Sequence, residues 1–155
     1  MTGLRLTEAL TLLNRDVDLD ARTVQVRVSK TPSGYRSVPI TSELSAQILA
    51  WRAFAATLGA HGPDAPFLVT RNGTRLTPQQ VETTIERVAR RAGLSRRVTP
   101  HTLRRTFGSD LLNKGVRLEV ISRLLGHSST AVTERCYARL QDATIRDEML
   151  KALIA

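Results

Sequence analysis

The sequence predicts an α+β domain, mainly α-helical, with one small antiparallel β-sheet near its N-terminal end. Two patterns carry that expectation. Apolar residues recur at helical spacing between start signals (Thr77-Pro78, Thr99-Pro100) and glycine stops (Gly59, Gly93, Gly115, Gly126). Residues 23–28 and 35–40 instead alternate with period two around Lys30-Thr31-Pro32-Ser33-Gly34, which is hairpin chemistry. A length of 155 residues suits a single domain with its own core, and residues 1–155 are expected to form one.

Element by element, Leu4, Leu6, Ala9, Leu10 and Leu13 predict a helix over 3–14, broken by a turn at Asp16, Asp18 and Asp20. Two strands, 23–28 and 35–40, follow as the hairpin. Ser42 is the expected cap of a helix over 43–58, ahead of a Gly/Pro-rich loop at 59–66. Phe67-Leu68-Val69-Thr70 reads as a short third strand, and Arg71-Asn72-Gly73-Thr74 as a turn. Helices are then expected from Thr77-Pro78 to Gly93, over 100–114, and over 117–125. Ser129 should cap another over 130–140, and an amphipathic helix should cover 142–154. There is no internal repeat and no low-complexity tract.

Composition narrows the class. An apolar share of 41% with 24% charged residues is that of a folded globular chain and not of a disordered one. A single cysteine, Cys136, excludes an internal disulfide framework and any Cys-pair zinc pattern. No apolar run approaches the roughly 18–20 residues that span a bilayer. The first residues also lack the hydrophobic core of a signal peptide, so a cytoplasmic, reducing location and no membrane partner are expected. Basic residues number 23 against 14 acidic, a net charge of +9, and all but Lys30, Lys114 and Lys151 are arginine. The plainer reading of the arginine bias is the codon usage of a GC-rich genome. The net excess itself favours a polyanionic partner, of which nucleic acid is the commonest.

Several residues could carry chemistry. His101 and Arg104 lie three apart at a helix start, where exposed N–H groups, imidazole and guanidinium could meet one phosphate; the plainer reading is a polar helix start with a solvated arginine. His127, in Leu124-Leu125-Gly126-His127-Ser128-Ser129, reads on its own as a C-capping residue. Arg5 and Glu8 read as an i,i+3 ion pair, and Lys30 as a solvated turn lysine. Val132, Cys136 and Leu140 form an apolar stripe, which leaves Tyr137 turned about 100° away from it.

In chain order these pieces are Thr2-Gly3-Leu4-Arg5 with Glu8, and Lys30 ahead of Arg36-Ser37-Val38-Pro39-Ile40. His101-Thr102-Leu103-Arg104-Arg105-Thr106-Phe107 follows, then the Leu-Leu-Gly-His-Ser-Ser corner and late Tyr137. Together they resemble the tyrosine recombinase (phage integrase) family over residues 2 to about 140. The resemblance implies the catalytic-domain fold of DNA breaking-rejoining enzymes, and strand cleavage and rejoining through a 3′-phosphotyrosyl link. It implies catalytic roles for Arg5, Lys30, His101, Arg104, His127 and Tyr137, with Glu8 orienting Arg5. Arg36, Arg97 and Arg105 are expected to contact DNA. Double-stranded DNA and further protomers, a tetramer on DNA, are the implied partners, and no cofactor or metal is implied.

Two departures stand out. The family tyrosine usually falls nine residues after the second histidine; that slot holds Cys136, and Tyr137 is the tenth. Ala138-Arg139-Leu140 matches the wording that trails the family tyrosine, which favours a one-residue insertion. Met1 also directly precedes the first arginine motif, so the chain is expected to lack the family's core-binding domain and the first helices of its catalytic domain. A rival reading is a non-catalytic DNA-binding remnant. A metal-dependent nuclease has little support, because the acidic residues are scattered and none gather around the histidines.

Overall fold

The computed structural model describes residues 2–27 and 35–127, together with Ser129, Ala131 and Thr133. Helix α1 (Leu6–Thr11) leads through a 3-10 turn (Asn14–Asp16) into strand β1 (Val17–Asp18). Strands β2 (Thr23–Val26) and β3 (Arg36–Pro39) follow, and then helices α2 (Ser42–Thr57), α3 (Pro78–Arg91), α4 (Pro100–Asn113) and α5 (Leu118–Leu125). The sheet is antiparallel in the order β1-β2-β3, with Val24 opposite Val17 on one side and Val38 on the other. The expected class, mainly helical with a small antiparallel sheet near the front, is what the chain forms.

Alternation along β2 does its expected work. Val24 and Val26 are buried, Thr23 and Gln25 half-buried, and across the ladder Val38 is buried too. Leu12, Val17, Val24, Ile40, Ile48 and Phe67 form the main core cluster between sheet and α2. Trp51 packs against it and donates its indole N–H to the Phe67 carbonyl at 2.7 Å, so its one polar atom is satisfied. A separate cluster of Ile121 and Leu125, flanked by Phe107, Leu111 and Leu118, joins α5 to α4. That second cluster holds the end of α5 beside the start of the chain. Among the described residues no helix is long and apolar enough to cross a membrane.

Four details differ from the expectations. The first helix is Leu6–Thr11 and not 3–14, because Gly3 and Arg5 have other tasks and Leu12 is extended (φ −57°, ψ 140°), giving its carbonyl to the Phe67 N–H. The third strand is Val17–Asp18, which the sequence suggested was a turn; two residues are too few to display alternation. Within Phe67–Thr70 only Val69 makes a bridge, an isolated one with Arg75, and the preceding Pro66 makes another with Leu13. The cap of α2 is Thr41, whose hydroxyl accepts from the Leu44 N–H at 3.2 Å, and Ser42 is already helical. The hairpin loop with Lys30, the helix expected over 142–154 and, apart from helical Ala131 and Thr133, the helix expected over 130–140 lie outside the described residues.

Candidate active site

The site is assembled from three chain segments far apart in sequence. The first is the turn before α1. Gly3 has φ +65°, and a Cβ there would come within 2.4 Å of the Phe107 ring, so glycine is needed both for its backbone and for its lack of a side chain. Its carbonyl accepts from Arg104 Nη1 at 2.6 Å. Arg5 is the N-cap of α1, and its backbone N–H donates to Glu8 Oε2 at 2.8 Å, the returning half of a capping box. The Arg5 guanidinium donates to Glu8 Oε1 at 2.7 Å and to the Gly126 carbonyl at 2.6 Å.

The second segment is the start of α4. Thr99 caps the helix by accepting from the Thr102 N–H at 3.1 Å, and Pro100 occupies the first helical position. His101 therefore sits in the first turn and is exposed, whereas Arg104, one turn on, is buried at 8% exposure. Arg104 donates to the carbonyls of Gly3 and Leu125, which ties α4 to both other segments. A guanidinium has five N–H donors, so carbonyl tethering is compatible with presenting others to an anion.

The third is the corner after α5. Gly126, not His127, is the C-cap, in the left-handed conformation at φ 65°. His127 follows with its N–H donated to the Ser122 carbonyl at 3.0 Å and its Nδ1 2.7 Å from the Thr133 hydroxyl. Burial, and then the charges of Arg104, Arg5 and Arg36, push its pKa down from 6.5 to about 4. His127 is thus neutral at pH 7, one ring nitrogen carrying a proton and the other a lone pair.

Arg5, His101, Arg104 and His127 line one cleft of about 590 Å³. Two guanidiniums and two imidazoles beside a helix N-terminus are groups whose chemistry suits a phosphate-bearing anion. Glu8 lies behind Arg5 at 3% exposure. Burial alone would raise its pKa, but hydrogen bonds from Arg36, from the Arg5 N–H and from the Arg5 guanidinium outweigh that and leave it below its ordinary 4.5. Arg36 differs from the expectation of a DNA-facing residue. Its side chain is 8% exposed, spans both Glu8 oxygens at 3.1 and 2.9 Å, and donates Nε to the Leu124 carbonyl at 2.6 Å. Arg97 and Arg105 are exposed and do not line the cleft. Lys30, Cys136 and Tyr137 lie outside the described residues.

Two cleft features escaped the sequence. Glu82 on α3 also lines the cleft, and nothing in its local sequence marks it. The inward role of Arg36 had one available signal, its place next to Val38 on a strand with a buried face, but an arginine two residues from a loop reads as solvent-exposed.

Comparison with known proteins gives a consistent result. The model of the phage integrase family matches residues 1–144. The chain is 35% identical over 138 residues to tyrosine recombinase XerC of Myxococcus xanthus, covering 86% of this chain and 45% of that protein. Among solved structures it resembles the XerA recombinase crystal structure with TM-score 0.82 at 28% identity, covering 97% of this chain and 54% of that one. It also resembles XerH site-specific recombinase bound to a palindromic difH substrate in a post-cleavage complex. There the TM-score is 0.75 at 25% identity, over 92% of this chain and 42% of that one. The chain spans about half the length of the curated relatives it matches.

Proposed function

This chain belongs to the phage integrase family, and from that premise we propose that it cuts and rejoins DNA strands in site-specific recombination, with Tyr137 as the nucleophile. The observation that carries the proposal is the convergence of Arg5, His101, Arg104 and His127 on one cleft from three separate segments. The role of each follows from the charge of the reaction. In-line attack on a phosphodiester builds negative charge on the non-bridging oxygens. The guanidiniums of Arg5 and Arg104, preset by the Glu8, Gly126, Gly3 and Leu125 contacts, meet that charge without reorganising.

A tyrosine hydroxyl has a pKa near 10, so it needs a proton acceptor at neutral pH. His101, exposed at the cleft mouth, is the acceptor we assign. The Tyr137 Oη–P bond forms as the P–O5′ bond breaks, and the leaving 5′-oxygen takes its proton from Lys30 on the hairpin. His127 donates a hydrogen bond to a phosphate oxygen. The phosphotyrosyl link keeps the energy of the broken bond, so attack by another 5′-hydroxyl rejoins a strand with no external energy source. Each copy cuts one strand, so full exchange between two duplexes calls for a tetramer on DNA. We infer with it a cytoplasmic, nucleoid-associated setting of bacterial or phage origin.

The test is a nicked suicide substrate in EDTA. We expect a covalent protein–DNA adduct that survives chelation, is abolished by Tyr137→Phe and is retained by Cys136→Ala. Burial of Cys136 on the Val132–Leu140 stripe would raise its thiol pKa and keep it from DNA. Mass spectrometry placing the nucleotide on Cys136, or loss in EDTA restored by magnesium, would overturn the mechanism. A chain that binds DNA yet never forms an adduct would favour the non-catalytic remnant.

A further inference from the structure

We propose that Thr133 is a positioning residue for His127: its buried hydroxyl donates to Nδ1, which places the ring proton on Nε2, facing the cleft as a donor to a phosphate oxygen. The inference deepens the cleavage reading above and rests on it for the identity of the anion. Its geometry stands on its own. Thr133 is fully buried, at 0% exposure, and its Oγ1 lies 2.7 Å from His127 Nδ1. That is the hydroxyl's hydrogen-bond partner in the structure. The carbonyl of Ser129, one helical turn earlier and a common acceptor for such a hydroxyl, takes its side-chain bond from Ser122 at 3.5 Å instead.

The proton bookkeeping then decides the tautomer. A neutral imidazole carries one N–H and one lone pair, and a hydroxyl brings one proton. If Nδ1 held the ring proton, it would donate to Oγ1 and leave the hydroxyl proton buried without an acceptor, which folded proteins avoid. If Nδ1 holds the lone pair, the hydroxyl proton is satisfied and the ring proton goes to Nε2. The guanidiniums of Arg5 and Arg104 pull the other way, since cations favour a lone pair at Nε2; among the described residues the other charged or titratable groups near this corner are Arg36, His101 and Glu82, with Glu8 behind Arg5 and Arg36. Those cations line the same cleft as His127 and already donate to backbone carbonyls, whereas among the described residues the buried hydroxyl has Nδ1 as its one hydrogen-bond partner. An N–H among cations is also what a phosphate oxygen can use: it accepts from both guanidiniums and from Nε2 together. Low basicity reinforces this, because a ring with pKa about 4 stays a neutral donor throughout the neutral range.

The experiment reads the tautomer directly. The full chain is prepared with ¹⁵N-labelled histidine, and its three imidazoles are observed in long-range ¹H–¹⁵N correlations at pH 7, the His127 signals being assigned by their loss in His127→Gln. We expect Nε2 in the protonated, pyrrole-type range and Nδ1 in the pyridine-type range. Thr133→Val should shift both His127 nitrogens toward a tautomer mixture and leave His61 and His101 unmoved, and Thr133→Ser should restore the wild-type pattern. Adduct formation on the suicide substrate should fall about tenfold in Thr133→Val, the usual scale for removing a partner that orients a functional histidine, and recover in Thr133→Ser. A wild-type His127 protonated on Nδ1 overturns the proposal even if the valine variant fails to fold. So does a Thr133→Val chain with an unchanged tautomer. The predicted tautomer pattern with no adduct in any variant upholds the Thr133 assignment and removes the cleavage reading instead.

Discussion

Glu8 is where the cleft's charge is balanced. Its carboxylate takes hydrogen bonds from Arg5 and Arg36, so one buried acid holds two guanidiniums of which only Arg5 lines the cleft. Removing the charge while keeping the shape, as in Glu8→Gln, leaves buried Arg36 and cleft-lining Arg5 beside each other without their shared anion. We expect a loss of about 3 kcal/mol of stability in urea unfolding at pH 7, the scale for breaking a buried ion pair. The pH dependence has a definite sign. The Glu8 pKa is depressed in the folded chain, so its contribution is complete above about pH 4.5 and is lost as pH falls through the folded value. His127 is also depressed, from 6.5 to about 4, so between those values the unfolded chain binds a proton that the folded chain refuses. Stability should therefore decline from pH 6.5 to 4, less steeply in His127→Gln, and the decline below 4.5 should be smaller in Glu8→Gln. Parallel pH profiles for all three chains would show that these two groups do not control acid stability.

At the level of elements, the functional groups sit at helix ends, where unpaired backbone groups are available. Arg5 caps α1, His101 lies in the first turn of α4, and His127 follows the left-handed end of α5. The corner at Gly126 is tightly built. A Cβ there would come within 2.7 Å of the Arg36 guanidinium, and the left-handed backbone adds about 1 kcal/mol for an L side chain. Gly126→Ala is expected to destabilise the chain by about 2 kcal/mol, combining that backbone term with displacement of Arg36. It should also slow adduct formation more than its stability loss explains, because the Gly126 carbonyl holds Arg5. Denaturation and suicide-substrate kinetics on the same preparation separate the two effects. Full adduct rate in a destabilised variant would show that the corner has no part in aligning Arg5.

On the scale of the whole molecule, charge governs the first encounter. A net +9 on a chain this small should attract any duplex, and exposed Arg97 and Arg105 outside the cleft add to that field. DNA binding is expected to be weak in sequence preference and steep in salt. If about six phosphates are neutralised, affinity should fall roughly 10³-fold between about 50 and 200 mM salt. Fluorescence anisotropy with specific and scrambled duplexes measures both properties. Binding that ignores salt, or nanomolar discrimination between the duplexes, would contradict this picture. Arg36→Met should leave the salt slope unchanged, since that guanidinium is turned inward to Glu8.

The sequence by itself determined the class of fold, most helix boundaries and the motif residues of the cleft. Those features are local: Thr77-Pro78 and Thr99-Pro100 set helix starts through the chain's own N–H groups, and β2 announces itself by alternation within four residues. Chemistry that needs particular side chains in a particular order also survives in one dimension, which is why Arg5, Glu8, His101, Arg104 and His127 could be nominated together. What only the tertiary structure decided depends on partners distant in the chain. Arg36 turns inward because Glu8 and the end of α5 meet it there, 28 and 88 residues away in sequence. Leu12 leaves the helix because Phe67 offers it an N–H, and Val17–Asp18 becomes a strand because β2 offers it an edge. The tautomer of His127 likewise depends on which buried hydroxyl faces it. An arginine is equally soluble on a surface and satisfied beside a carboxylate, so residue type cannot choose between the two environments; the fold chooses by supplying the partner.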